Sequence, residues 1–255
     1  MTPALNDSPL ALHAADTPAS QMWAQLVEFS RHLQLDDWLL VGGQMVALHC
    51  HLGGLVPGRA TTDIDVVANV VTTNRALSAC REAARAMQLE PQPTIDDRRQ
   101  HRFRNDTMIL DVLVPDHTPK HLLLRITGRD PVPIVGGARA LQRAAHCTID
   151  TAAGQAAIPL PDLRGAIVLK ARAWATDSRD RDRHLYDLAQ LVAVIDDPMA
   201  LAEQLDRKER RALRSVVMPA ATSEDPWLRI DEAHRADATE AWQTITAPAG
   251  GTPTR

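Results

Sequence analysis

The chain has 255 residues, a hydrophobic fraction of 45%, only 3% aromatic residues and a formal net charge of −4. That length suits one large domain or two modest ones, and apolar content drawn mainly from Ala and Leu favours many helices over an all-β sandwich. The acidic balance argues against a protein that grips nucleic acid by overall charge, although arginines gather at 98–104, 179–183 and 207–214.

Three widely separated cysteines, Cys50, Cys80 and Cys147, form neither a metal spacing nor a disulfide framework, so reduced thiols in a cytoplasmic protein are expected. No run approaches eighteen apolar residues, and the N-terminus lacks a charged region followed by an apolar core, so no membrane association is expected.

Residues 1–18, with Pro3, Pro9 and Pro18 and no periodicity, read as a flexible lead-in. Met22, Trp23, Leu26, Val27, Phe29 and Leu33 recur at helical spacing, which predicts a helix over 20–33. "WLLVGG" (38–43) reads as a short buried strand ended by glycines, "QMVALHC" as the following helix, and "IDVVANV" (64–70) as a second strand. A helix is predicted over 72–87, starting near Thr73 or Asn74. "RQHRFRND" and "TMILDVLVPD" resemble two antiparallel strands joined at Asn105 and Asp106, with further strands at 122–126, 146–151 and 155–158. From Pro161 helical segments follow one another, the last over about 226–245, before the tail "APAGGTPTR". The expected organisation is therefore α+β: a lead-in (1–18), a mixed-sheet core with flanking helices (19–126), a connecting β segment (127–160), a helical half (161–246) and a disordered tail (247–255).

Two stretches break the ordinary core pattern: Gly42–Gly43 at the end of one apolar run, and Asp63 and Asp65 around Ile64 at the head of another. Side chains alternate across a strand, so both aspartates face one side while Ile64 faces the core. Carboxylates about 7 Å apart at the backbone repel unless something positive lies between them, and a hard divalent cation such as Mg²⁺, or Mn²⁺ in its place, is the simplest partner. Asp111 stands inside the apolar run "MILDVLV" and is costly there unless paired or metal-bound. With the two strands side by side, Asp63, Asp65 and Asp111 converge on one metal site. The glycines supply the other half: a strand-to-helix turn lets backbone approach a ligand, and the helix N-terminus offers N–H groups to phosphate. Taken singly, a GG is ordinarily a tight turn and a DxD a strand end; their order carries the reading. A phosphate pocket beside a carboxylate-held metal is equipment for nucleotidyl transfer.

"VGGQMVALH", "GRATTDIDVV", "HRF" and "ILDVLVPD" together resemble the nucleotidyltransferase superfamily that includes DNA polymerase beta. Within it, the GG and the R-x-T-x-D-I-D spelling resemble the AbiEii-type toxins of type IV toxin–antitoxin and phage-abortive systems, and "GAIVLKARAWATDSRDRDRHLYDLAQLV" extends the likeness, over roughly residues 37–195. The resemblance implies a nucleotidyltransferase-like sheet. It implies that Gly42 and Gly43 hold nucleotide phosphates, Asp63 and Asp65 bind Mg²⁺, and Asp111 completes the metal site and orients or deprotonates the acceptor hydroxyl. Lys170 would contact the triphosphate, Asp187 would support Lys170 or the nucleotide, and Arg59 and Thr61 would assist at the loop entering the site. The chain departs from the pattern at Gln44 and Met45, where small or hydroxyl residues are common, and at His184, where the second block commonly has Asp. Asp180 or Asp182 therefore competes with Asp187 as the acid of that block.

The implied activity is transfer of an NMP from an NTP, with the tRNA 3′ end as acceptor and a cognate antitoxin as partner. Transfer to a small molecule such as an aminoglycoside, or to a protein hydroxyl, is the alternative enzyme; an inactive nucleotide- or partner-binding protein of the same fold is the alternative of another class. Three further features are read as structural. His49 and His51 of "HCHL" point about 200° apart on a helix and do not share a metal easily. Trp174, Trp227 and Trp242 fall at helical core positions, and "ERRALRSVV" is a solvated face before it is an RNA surface.

Overall fold

The computed structural model describes residues 2–13, 17–59, 61–93, 98–122, 128–178, 180–218 and 226–248. It is α+β, as the sequence predicts, and divides into two compact units, residues 1–48 with 60–162 and residues 49–59 with 163–255. The first unit contains two sheets. β1 (Leu10–Ala11) pairs in parallel with β9 (Ala144–Thr151), which runs antiparallel to β10 (Gly154–Pro161). The stretch expected as a loose lead-in thus contributes an edge strand, and Asn6 ties it down through its side-chain carbonyl, which accepts from the Thr148 N–H (3.0 Å).

The larger sheet carries β2 (Trp38–Val41), β3 (Ile64–Ala68), β4 (Glu90–Pro91), β5 (Arg99–Gln100), β6 (Arg102–Arg104), β7 (Ile109–Pro115) and β8 (Asp130–Ile134). Its order is β2-β3-β7-β6-β4, with β8 alongside β7 and β5 alongside β8. β3 and β7 are parallel neighbours, and β2 and β6 flank that pair antiparallel. Asn105 makes the β6–β7 turn, its side-chain oxygen accepting from the N–H groups of Thr107 (2.9 Å) and Met108 (2.8 Å).

α1 (Pro18–Ser30) starts two residues before the periodicity predicts, because Thr17 and Ser20 form a capping box and Pro18 suits the first helical position. It packs on β9 and β10. α2 (Gly42–Leu52) opens at the two glycines, so they begin the helix rather than end the strand. α3 (Ala76–Ala86) starts later than Thr73 and lies against β3 and β7; the short α4 (Gly137–Gln142), not predicted, packs on β7 and β10. The strand expected at 122–126 falls, apart from Leu122 in a 3₁₀ turn, outside the described residues, as does most of the tail.

The second unit is helical: α5 (Leu163–Thr176), α6 (Arg181–Ala193), α7 (Pro198–Gln204), α8 (Arg207–Arg214) and α9 (Glu232–Thr246). α6 packs on α5 and α9, and α8 on α5 and α9. Trp227 and Trp242 are buried, whereas Trp174 is half-buried with the Arg181 guanidinium 5.5 Å from its ring centroid. All three cysteines are free and buried. No described helix is long and apolar enough to cross a membrane.

β2 is buried along its whole length, and Trp38 at its head meets Phe29 of α1 edge to face (centroids 5.4 Å). This contact anchors the strand that leads into the glycine turn. Trp38→Ala should lower unfolding free energy by about 3–5 kcal/mol, as for other buried aromatic truncations, measured by urea denaturation; a loss below about 1 kcal/mol would mean that the strand is held elsewhere.

Candidate active site

The register of the larger sheet puts Val41, Asp65, Asp111 and Arg102 in one row, because Val41 pairs with Asp65, Asp65 with Asp111, and Asp111 with Arg102. Partners in register share a face, so the two aspartates and the arginine project together. Asp63 lies two residues before Asp65, on the same side, and its carboxylate accepts a hydrogen bond from the Thr61 hydroxyl (3.0 Å). One carboxylate oxygen from each of Asp63, Asp65 and Asp111 lies within 4.8 Å of the others. Oxygen donors of this kind, with Asp63 and Asp65 half-buried and Asp111 buried, match the preference of a hard divalent cation.

Gly42 follows immediately. Its φ of +68° is left-handed backbone, which favours glycine, and a Cβ there would stand 2.6 Å from Cγ of Asp65 and closer still to Oδ2. The backbone at the start of α2 is therefore pressed against a triad carboxylate in a way only glycine permits. Gly43 continues the same opening turn, where helix geometry leaves N–H groups without intrahelical acceptors. Gln44, at one of the departures from the family pattern, is buried at the next position.

Arg102 is the residue that sequence reasoning missed, since neither "HRF" nor the arginine cluster at 98–104 by itself ties it to the acidic site. Its Nε donates to Oδ1 of Asp111 (2.8 Å) and its Nη2 to Oδ2 (2.6 Å), with Oδ2 of Asp63 3.7 Å from the same Nη2. The hydrogen bonds to Asp111 raise its pKa above the ordinary arginine value; burial opposes the rise, and the charges of Asp111, Asp63 and Asp65 add to it. The hairpin turn that fixes the β6–β7 register is the signal that would have found it.

The remaining predicted residues gather in the second unit. Asp187 of α6 is buried, accepting from Lys170 Nζ (2.6 Å) and from Arg59 through Nε (2.8 Å) and Nη2 (3.1 Å). Burial opposes its ionisation, but the charge of Lys170 and the Arg59 fork outweigh it and hold the carboxyl below its ordinary range. Lys170 is itself buried, so it is not a surface lysine with a solvated head. Arg59 is brought in because the 49–59 segment packs on α6, where the Gly58 N–H donates to Oε1 of Gln190 (2.6 Å). Thr61, only two residues away, belongs to the first unit. Asp180 caps α6 and Asp182 is exposed in its first turn, whereas Asp187 pairs with Lys170. His184 is buried with Nε2 3.3 Å from Asp177 Oδ2, and burial, followed by the Lys170 charge, lowers its pKa. Burial, with the Asp187 charge, pushes the Cys50 thiol up to about 12, so it is no nucleophile at neutral pH. His49 and His51 lie near the end of α2 in the same unit, His49 buried and His51 half-buried.

A family model described as the nucleotidyl transferase AbiEii toxin of a type IV toxin–antitoxin system matches residues 25–254. No curated protein matches the chain. Among solved structures, it is similar to an antigenic nucleotidyltransferase-like protein from Paracoccidioides brasiliensis, with 15% sequence identity and a TM-score of 0.49, over 88% of this chain and 94% of that one.

Two substitutions probe the geometry. Gly42→Ala should destabilise the protein by at least about 1–3 kcal/mol, since it adds backbone strain to an overlap with Asp65; an unchanged urea midpoint would show that the turn relaxes freely. Asp187→Asn should cost about 3–5 kcal/mol, because it leaves two cations without their buried acid. The lowered pKa of Asp187 also fixes a pH dependence. Its stabilisation is complete above the unfolded value of about 3.8 and is lost as pH falls towards the folded one. Acid unfolding curves of Asp187→Asn should therefore be shallower below that pH than those of the wild type.

Proposed function

We propose that this chain, which belongs to the nucleotidyl transferase AbiEii toxin family of type IV toxin–antitoxin systems, is a divalent-metal-dependent nucleotidyltransferase that moves an NMP from an NTP to the 3′ end of tRNA. A cognate antitoxin is its partner in this reading. The observation that carries it is the convergence of Asp63, Asp65 and Asp111 beside a glycine turn that tolerates no side chain. The presence of all three acids and both glycines favours an enzyme over an inactive binding protein.

Asp63 and Asp65 hold the metal, and Asp111 completes the set; when bound, the metal supplies charge neutralisation for the triphosphate and the leaving pyrophosphate. The Gly42–Gly43 turn offers backbone N–H groups to phosphate oxygens. Asp111 orients the acceptor hydroxyl and takes its proton, while the new O–Pα bond forms and the bond from Pα to the bridging oxygen of pyrophosphate breaks. Within the second unit, Asp187 keeps Arg59 and Lys170 fixed and ionised as that unit's own candidate contacts for phosphate. Thr61 holds the Asp63 carboxylate in one orientation through the hydrogen bond described above.

Support for an RNA acceptor comes from α8. Arg207, Lys208, Arg210, Arg211, Arg214 and Ser215 line a groove of about 950 Å³. Arg210 is spent on the carbonyls of Leu205 and Ala202, and Arg214 on those of Thr246 and Ala247. Arg207, Lys208 and Arg211 are exposed and offer three cations to a phosphate backbone.

Incubation of the purified protein with total tRNA, Mg²⁺ and each labelled NTP in turn should label the tRNA 3′ end with one nucleotide, and Asp63→Ala should abolish the label. Label on a small hydroxylated compound or a protein, with none on RNA, would replace the tRNA reading by its alternative. Reversing Arg207, Lys208 and Arg211 to Glu should leave stability within about 0.5 kcal/mol. The same change should weaken tRNA binding and flatten its log–log salt dependence by roughly 2 units, about 0.7 per lost contact to a single strand. An unchanged slope would remove α8 from the RNA interface.

A further inference from the structure

Three carboxylates facing one point need positive charge whether or not a metal is bound, and in this sheet Arg102 brings such a charge to Asp63 and Asp111. We propose that Arg102 is the resident counter-ion of the triad and competes with the divalent cation for Asp111, so that metal loading is coupled to release of the guanidinium. The inference rests on the reading of the triad as a metal site and concerns how that site is filled.

The geometry is that of a full fork: two N–H groups of Arg102 engage the two oxygens of Asp111 at 2.8 and 2.6 Å, and the same guanidinium lies 3.7 Å from Asp63. It therefore spans two of the three carboxylates on which a cation would draw. A divalent ion placed among those acids would meet a fixed positive charge, so the fork and the ion oppose each other. The partners differ in mobility. Asp111 is fixed in the middle of β7, with its side chain only 8% exposed, whereas the Arg102 side chain is 40% exposed on short β6. Arg102 can withdraw into water by rotating its stem, with no change in the β6–β7 register. Arginine suits this role better than lysine, because its planar fork satisfies both oxygens at once and leaves Asp111 oriented towards the site. Once released, the guanidinium has five donors and no carboxylate, which suits the phosphate that accompanies the metal. Arrival of a metal–nucleotide complex would then exchange one ion pair for two, acid with metal and arginine with phosphate, and leave no charge unpaired.

The test is Mn²⁺ binding, read by calorimetry or by the EPR signal of the free ion, in the wild type and in Arg102→Gln without nucleotide. The variant should bind Mn²⁺ at least about tenfold more tightly, the scale of a close charge pair. Its metal-free thermal midpoint should fall and be recovered by Mn²⁺. Equal or weaker binding by Arg102→Gln would overturn this inference alone, since Arg102 would then be orienting Asp111 for the metal. No binding by either protein would overturn the metal reading, and this inference with it. A second measurement needs no altered protein beyond assignment. The Arg102 Nε–H resonance, identified by its loss in Arg102→Lys, should be protected from solvent exchange in the metal-free wild type and exchange faster once Mg²⁺ is added. Protection that persists in saturating Mg²⁺ would overturn the proposal.

Discussion

Like-charge repulsion at one row of a β-sheet is the constraint that organises the first unit. The parallel pairing of β3 and β7 sets Asp65 beside Asp111, and the residue before β3 adds Asp63, so three acids come within 4.8 Å of one another. Such a cluster is compatible with folding only if its neighbours are built around it. The neighbouring backbone must come close without a side chain, which Gly42 provides at φ +68°. A positive group must also reach the cluster from the next strand, which the β6–β7 register provides in Arg102. Turn, register and counter-ion thus follow from the need to hold acids that would otherwise separate.

The second unit meets the opposite problem. There one buried carboxylate, Asp187, serves two cations, Lys170 and Arg59. Burial raises the cost of every charge in the cluster, and each is retained because the geometry satisfies it. Each unit thus gathers its charges round one point, acids in the first and cations held on an acid in the second.

Much of this was legible in the sequence because local rules create it. Alternation along "DIDVV" and the isolated acid in "MILDVLV" were enough to expect convergence of Asp63, Asp65 and Asp111, and the GG at the end of "WLLV" was enough to expect a strand-to-helix turn. Arg102 was legible too: with Asn105 opening the turn, Arg104 falls opposite Ile109 and Arg102 opposite Asp111. The cluster of arginines at 98–104 hides it, because composition alone does not say which of them faces the chain's own acids. Other features had no local signature. Arg59 reaches Asp187 across 128 positions of sequence, and no periodicity encodes that. α4 and α7, of six and seven residues, are too short to display a 3.6-residue period. β8 contains Pro131 and Pro133, which remove ladder donors and make "DPVPI" read as non-strand, yet it pairs with both β7 and β5.

Overall charge says less about a surface than the distribution of charge does. A net charge of −4 speaks against non-specific attraction to RNA, but α8 sets five cations against the single acid Glu209. That acid is turned inward: it is buried, accepts from Arg164 (2.6 Å) and from the Asp206 N–H (2.9 Å), and so closes the capping box that starts the helix. The one residue that would have neutralised the face is consumed by the fold, and the exposed surface of α8 is more basic than its sequence. Local hydrogen bonding, rather than composition, decides which charges a partner meets. An acidic chain can in this way keep its overall charge negative while presenting one short cationic surface.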